Sequence, residues 1–240
     1  MNPKFSVIIT AFNRADLIHR PLMSLKAQTY SDFEVIVVDD DSTDGTVDVV
    51  KKIWPTAKIV QHERNLNKAI SRNDGMRAAT GEWIAWLDSD DMYVPHYLEV
   101  LSLAIKQAPE AEIFNFGAIQ VHQNYATTLF PQVFYPARVG EGHEVFRAGH
   151  IAAGCFIFQR KLLDEIGYLP ETSSYIAFAE MFKEQFPEIV PLYPRGEELG
   201  NPWGDDYALF YKLTRNHWSI PINSHLYIIW GRQEKELKLD

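Results

Sequence analysis

From Phe5 to Gln107 the sequence alternates between two hydrophobic periods, and few folds accept that order. Phe5 to Thr10 is a continuous apolar, β-branched run, the pattern of a strand buried on both faces. Ala15 to Gln28 changes to helical spacing, with Leu17, Ile18, Leu22 and Leu25 on one stripe. Phe33 to Val38 is a second buried strand, and Thr46 to Trp54 a second helix stopped by Pro55. Lys58 to Gln61 reads as a short strand, Lys68 to Ala79 as a helix ended by Gly81, and Trp83 to Leu87 as a fourth strand. Pro95 opens a helix to Gln107, at a position where its missing N–H costs nothing. This β-α-β-α-β-α-β order predicts a parallel sheet with helices on both faces and right-handed crossovers. Ligands in such sheets bind beyond the carboxyl ends of the strands. Three polar clusters fall there: Thr10-Ala11-Phe12-Asn13, Asp39-Asp40-Asp41-Ser42 and Asp88-Ser89-Asp90-Asp91. One rim is predicted to carry all three.

The second half is less regular. Ala111 to Val121 reads as a long strand with Tyr125 to Phe134 as its hairpin partner, and Gly154 to Gln159 as a further strand. Helical patterns run from Lys161 to Ile166, Tyr175 to Gln185 and Asp206 to Asn216, and His225 to Trp230 is a final strand. A chain of 240 residues with 46% hydrophobic content suits one domain, or one domain with a lobe attached. No repeat or low-complexity linker divides it, and the polar tail from Gly231 is expected to be mobile.

Composition excludes several partners. The formal net charge is −9, whereas nucleic acids and anionic membranes attract basic surfaces. The single cysteine, Cys155, excludes an intramolecular disulfide and a cysteine zinc cluster, and fits a reducing compartment. Phe5 to Ile9 is too short for a signal peptide core, and no stretch approaches a membrane span. The expectation is a cytoplasmic protein without a transmembrane segment, peripheral membrane contact being left open.

The strongest chemical signal is Asp88-Ser89-Asp90-Asp91. Two carboxylates about 4 Å apart repel by roughly 4 kcal/mol at an effective dielectric near 20. A divalent cation relieves this, and oxygen ligands favour Mg²⁺ or Mn²⁺, which keep waters and take up substrate phosphates. The bland reading is a solvated acidic turn that caps the next helix; the place at a parallel-strand end favours the cation. Asp39 to Gly45 supports two readings at once, a turn from Ser42 to Gly45 and Asp40 facing a ligand through hydroxyl or base N–H donors. A diphosphate needs positive charge, and Arg72 with Asn73 is the better candidate over Arg64 and Lys68, which read equally well as a solvated face. Asp205 and Asp206 open a helix: one can be its N-cap, and the other a general base beside an acceptor. From spacing alone the cap reading is the better one. His143, His150 and His217 show no metal-ligand spacing and read as structural or surface.

On these residues the chain resembles the family-2 glycosyltransferases of the GT-A fold. The resemblance rests on Ser6 to Asn13, Phe33 to Thr46, Ser71 to Met76, Ala79 to Ile84 and Leu87 to Asp91, dense over about the first 110 residues. It resumes weakly at Gly154 to Arg160, Ile166-Gly167 and Gly204 to Tyr207. It implies one GT-A domain, an α/β fold with a mainly parallel sheet flanked by helices. Residues 1–110 would be the nucleotide-sugar half, 111–230 an acceptor-side lobe, and 231–240 the tail.

The resemblance also implies residue roles. Thr10, Ala11 and Asn13 would line the nucleotide pocket, Asp40 would contact the base, and Arg72 would lie near the diphosphate. Asp88 and Ser89 would border the nucleotide, Asp88 and Asp90 would hold Mn²⁺ or Mg²⁺, with Asp90 the more direct ligand, and Asp206 would be the catalytic base. The implied reaction is inverting transfer of a hexosyl or hexosaminyl group from a nucleotide-sugar, a UDP-sugar first, to a glycan or lipid-linked hydroxyl in polysaccharide biosynthesis. Three departures stand out. Asp41 replaces a Gly, about 35 residues separate Gly167 from Asp206 where a short loop is expected, and the segment Tyr227 to Glu234 lacks a His that helps hold the metal in many relatives. A catalytically silent module that binds nucleotide or glycan is the competing reading. A phosphatase of the haloacid dehalogenase type fits poorly, since Met92 stands where that family expects Thr or Val.

Overall fold

The computed structural model describes residues 2–122, 125–130, 153–171, 181, 184 and 205–230. Four strands form the expected parallel layer: β1 (Phe5–Ala11), β2 (Phe33–Asp39), β3 (Lys58–Gln61) and β4 (Trp83–Trp86). Their spatial order is β3-β2-β1-β4, with Ile8 on β1 opposite Ile36 on one side and Trp86 on the other. Alternate residues of β1 serve opposite faces. Ile8 joins one apolar cluster with Ile36, Val38, Met76 and Trp86, while Val7 and Ile9 join another with Val35, Val37, Leu22 and Leu98. All are buried, so both faces of the central strands β1 and β4 are covered, while β3 lies at the partly exposed edge.

The helices between these strands are α1 (His19–Lys26), α2 (Thr46–Ile53) and α3 (Lys68–Ala78), followed by α4 (Tyr97–Gln107). The α1 helix begins later than its apolar spacing suggests. Leu17 and Ile18 N–H groups instead donate to the Arg14 carbonyl in a turn, which still buries Ile18. The α3 helix seats closely on the sheet because of Gly75: a Cβ there would lie 2.4 Å from Ile8 Cγ2. Asn67 caps it, its side-chain oxygen accepting from the N–H groups of Ala69 and Ile70.

Beyond β4 the sheet changes direction. It continues through β8 (Phe156–Gln159), β6 (Ile113–His122), β9 (Ser219–Trp230) and β5 (Met92–Tyr93), while β7 (Tyr125–Phe130) pairs with β6. Here β8 is antiparallel to both β4 and β6, and β9 is parallel to β6. Two features escape the sequence pattern. The two-residue β5 is too short to show a period, and β9 begins at Ser219 rather than His225. Pro221 interrupts its alternation, and the register against β6 shifts around Gly117. The short α5 (Leu163–Ile166) follows β8, and α6 (Asp205–Thr214) buries Leu209, Phe210 and Leu213 on the same face as α3. The expected helix at 175–185 and the end of the hairpin at 131–134 lie almost wholly outside the described residues, as does the tail from 231. Among the described residues no helix is long and apolar enough to cross a membrane.

Candidate active site

The carboxyl ends of β1, β2 and β4 open on one cleft of about 300 Å³. Thr10, Ala11, Phe12 and Arg14 line it from β1, Asp40 from β2, and Asp88, Ser89 and Asp90 from β4. Asn65, Asn67, Lys68 and Ser71 complete the lining from the segment that enters α3. The three polar clusters do therefore share one rim. Of the residues singled out by sequence, Thr10, Ala11, Asp40, Asp88, Ser89 and Asp90 reach the cleft, and Asn13 and Arg72 are not among its lining residues. The Asp206 backbone lies in the first turn of α6, and its side chain is outside the described residues.

The loop after β2 is knitted tightly. Asn13, at φ +51°, accepts the Thr43 N–H at 2.9 Å through its side-chain oxygen, and its own N–H donates to Ser42 Oγ at 2.8 Å. Asn13 thus holds the β2 loop rather than facing the cleft. Asp44 accepts from the N–H of Ala15 at 2.9 Å and of Thr46 at 3.0 Å, tying the entry of α2 to the β1 loop. Slight burial would raise its carboxyl, but hydrogen bonds from Thr46 and Ala15 outweigh that and hold it below the ordinary carboxylate value. Asp41, the residue in place of the expected Gly, sits at φ +68°, a left-handed conformation that Asp tolerates better than most side chains.

Asp40 is buried, and its carboxylate is engaged from three sides. Its Oδ1 accepts the Leu66 N–H at 2.8 Å and lies 2.8 Å from His62 Nδ1, while Oδ2 accepts the Asn67 N–H at 3.0 Å. Asp40 borders the cleft as expected, but these bonds turn its carboxylate onto the loop that leads into α3. Sequence reading passed over His62, Asn65 and Asn67. No letter pattern shows that two backbone N–H groups and an imidazole converge on one aspartate.

Asp88 Oδ1 lies 3.3 Å from Lys68 Nζ and 3.7 Å from Arg72 Nη2. Arg72 is fully buried, with its guanidinium 5.3 Å from the Trp86 ring centroid. It supports Asp88 from beneath instead of lining the cleft. Asn73 is turned away too: its side chain donates to the Leu169 carbonyl at 2.8 Å and accepts the Leu169 N–H at 3.0 Å. The backbone around Asp88 is gripped by two buried tyrosines. Tyr93 donates to the Trp86 carbonyl at 2.6 Å, and the Tyr227 hydroxyl accepts the Asp88 N–H at 3.0 Å. Burial, with Asp91 and Asp88 nearby, pushes the Tyr227 phenol well above its ordinary value, so it stays protonated. Gly154 makes room for that ring, since a Cβ there would fall 1.8 Å from Tyr227 Cε2.

Asp90 differs from its neighbours. Among the described residues it has no hydrogen-bond or ion-pair partner, and it faces the cleft. No group of three or more His, Cys, Asp and Glu side chains gathers among those residues as a ready metal cage. What the cleft offers a cation is therefore the carboxylate pair of Asp88 and Asp90. That oxygen-only, incomplete set suits an ion such as Mg²⁺ or Mn²⁺, which completes its shell with water and phosphate oxygens.

The Glycosyl transferase family 2 profile matches residues 6–167. The succinoglycan biosynthesis protein ExoO of Rhizobium meliloti is 31% identical over 172 residues, covering 68% of this chain and 49% of that protein. The UDP-Glc:alpha-D-GlcNAc-diphosphoundecaprenol beta-1,3-glucosyltransferase WfaP of Escherichia coli is 42% identical over 91 residues, 37% of this chain and 36% of that protein. The chain thus spans less than half the length of either relative. Among solved structures, S. aureus TarS 1-349 in complex with UDP-GlcNAc superposes with a TM-score of 0.70 at 22% identity, over 96% of this chain and 59% of that one. The mannosyltransferase PcManGT from Pyrobaculum calidifontis, in complex with GDP-Man and Mn²⁺, superposes with a TM-score of 0.61 at 20% identity, over 98% and 59%. At such identities the likeness shows the fold, a GT-A-like α/β sheet flanked by helices.

Proposed function

Because this chain belongs to glycosyl transferase family 2, we propose that its cleft binds a nucleoside diphosphate-sugar and that the protein transfers the sugar, with inversion, to a hydroxyl acceptor. The observation that carries this reading is Asp90, an acidic side chain on the cleft with no partner among the described residues, beside the paired Asp88. The proposed donor is a UDP-sugar, in keeping with the UDP-Glc in the name of WfaP and the UDP-GlcNAc bound to TarS; PcManGT, with GDP-Man, makes a GDP-sugar the next choice. The acceptor is proposed to be a glycan or a lipid-linked sugar, as the names of ExoO and WfaP suggest for those proteins.

In this reading Asp88 and Asp90 would hold Mn²⁺ or Mg²⁺, which would supply positive charge against the leaving diphosphate. Lys68, 3.3 Å from Asp88, adds positive charge at the same place. Thr10, Ala11 and Phe12 line the cleft at the end of β1 and are proposed to meet the nucleoside. Asp206 is proposed as the base that takes the acceptor proton as its oxygen attacks the anomeric carbon; the support is its sequence position and the start of α6 at Asp205.

The test is a donor-hydrolysis screen across UDP-, GDP- and dTDP-sugars with Mn²⁺ and Mg²⁺, followed by isothermal titration with UDP. Cation-dependent release of UDP, lost in Asp206→Asn, is the expected outcome. Nucleotide binding without turnover against a broad donor and acceptor panel points instead to a silent binding module. No binding of any nucleotide ends the transferase reading and leaves only a silent glycan-binding module.

A further inference from the structure

His62 follows the strand β3 and is nearly buried, its side chain 6% exposed. Its backbone N–H donates to the Asp39 carbonyl at 2.9 Å. Its ring lies between two carboxylates, with Nδ1 2.8 Å from Asp40 Oδ1 and Nε2 3.0 Å from Asp74 Oδ2 on α3. An ionised carboxylate can only accept, so a ring N–H that faces one donates to it, and the imidazole bridges the loop after β2 to α3.

The consequence runs into the cleft. With one face held by His62, the Asp40 carboxylate is presented to the N–H groups of Leu66 and Asn67, and the Asn65 side chain donates to the Asp40 carbonyl at 3.3 Å. Asn65 and Asn67 line the cleft, and Asn67 holds φ +89° while capping α3. Asp74 is itself anchored, because its Oδ1 accepts from Arg77 at 2.8 Å and Arg77 also pairs with Glu171. The ring is therefore braced from the helix side and pushes its order toward the cleft side.

We propose that His62 is a positioning residue for the nucleotide wall of the cleft: it fixes the Asp40 carboxylate, which in turn fixes the backbone of Leu66 and Asn67. The proposal rests on the reading of the cleft as a nucleotide site, and its first consequence can be measured without any nucleotide. His62 governs how well the wall is formed, hence nucleotide affinity, and is not itself among the residues that line the cleft.

The two ring nitrogens allow a selective test. Asn places its amide nitrogen near the position of Nδ1, and Gln places its own near Nε2. His62→Asn keeps the donor to Asp40, and His62→Gln keeps the donor to Asp74. Amide hydrogen exchange at Leu66 and Asn67 is measured for the parent, His62→Ala, His62→Asn and His62→Gln, alongside UDP affinity by calorimetry with Mn²⁺. In His62→Ala and His62→Gln, exchange at both amides should speed by about tenfold or more and UDP affinity fall by about tenfold, the scale of one charge-assisted hydrogen bond. His62→Asn should recover most of both. Asp74→Asn, placed on top of His62→Ala, should change either reading by less than about twofold, since its route to the cleft is already cut. Equal losses in Asn and Gln variants, or protection at Leu66 and Asn67 unchanged by His62→Ala, overturn the proposal. A parent that binds none of UDP, GDP and dTDP overturns the nucleotide reading instead, and the exchange rates still decide whether His62 holds the loop.

Discussion

The loop after β2 and the loop after β4 carry nearly the same letters and border the same cleft, yet their carboxylates are used in opposite ways. After β2, Asp40 and Asp44 are each covered by backbone N–H groups, and Asp40 has His62 besides. After β4, Asp88 is half-covered by the side chains of Lys68 and Arg72, and Asp90 has no partner among the described residues. Acidity alone does not mark a binding residue; the supply of donors around each carboxylate does. A carboxylate that receives several backbone N–H groups builds its loop, and one that receives none is left to bind something else. The contrast can be broken by making similar substitutions in both loops and reading stability and ligand binding separately.

The largest effect belongs to the first loop. Asp40→Asn removes a buried charge from three donors and leaves His62 beside an amide. Hydrogen bonds to a charged acceptor contribute about 1.5–3 kcal/mol each, so a fall of about 3 kcal/mol in urea unfolding is expected. A change below about 1 kcal/mol would show that Asp40 is not holding this loop.

The next effect tests how the second loop is held. Tyr227→Phe keeps the ring that Gly154 accommodates but removes the acceptor for the Asp88 N–H. A buried donor left unsatisfied costs about 1–3 kcal/mol, and a loss of about 1–2 kcal/mol is expected. Because the freed segment carries Asp88 and Asp90, Mn²⁺-dependent UDP binding should weaken as well, whereas binding without cation should change little. Equal weakening with and without cation would place the effect elsewhere than in the acidic pair.

This linkage also shows where sequence reading reached its limit. The strands β1, β2 and β4 were legible because each is buried on both faces, so every residue carries the same signal. The rim followed from the topology, and so did Thr10, Ala11, Asp40 and the Asp88 to Asp90 cluster on the cleft. The partners were not legible. His62 reads as an isolated histidine after a four-residue strand, and Leu66 and Asn67 act through backbone N–H groups that any residue supplies. Arg72 and Asn73 were sought at the diphosphate because charge and amide groups bind phosphate. Their neighbours in the fold, Trp86 and Leu169, lie far along the chain. Tyr227 sits in a strand whose first half is masked by Pro221, so its reach to Asp88 has no sequence counterpart. Asp206, outside the described side chains, remains a reading of sequence position.

A smaller effect distinguishes the loops by pH. Hydrogen bonds from Thr46 and Ala15 hold the Asp44 carboxyl below its ordinary value of 3.8. A depressed value means the folded state binds this proton less readily than the unfolded chain. Asp44 therefore contributes stability that is fully present above pH 3.8 and is lost as the pH falls through its depressed value. Asp44 is exposed, so the contribution is well below about 1 kcal/mol. Asp44→Asn should be slightly less stable at neutral pH and show a shallower acid limb in thermal melts from pH 6 to about 3. An unchanged limb would mean that its hydrogen bonds do not favour the ionised form.

The smallest effect on stability is expected from Asp90→Asn, and it is the sharpest contrast with Asp40→Asn. No described side chain or backbone group relies on Asp90, so the substitution should alter unfolding free energy by less than about 0.5 kcal/mol. It also removes one like charge beside Asp88 and Asp91, which acts in the direction of slight stabilisation. Its cost should appear in titration, where the cation-dependent part of UDP binding is lost while the parent retains it. If Asp90→Asn destabilises the fold as strongly as Asp40→Asn, the two loops are not different in kind and Asp90 is a structural residue. If it leaves both stability and cation-dependent binding intact, the contrast in partners holds but the cation is not held there. Only the combination of unchanged stability and lost cation dependence supports a carboxylate without a partner among the described residues that a ligand completes.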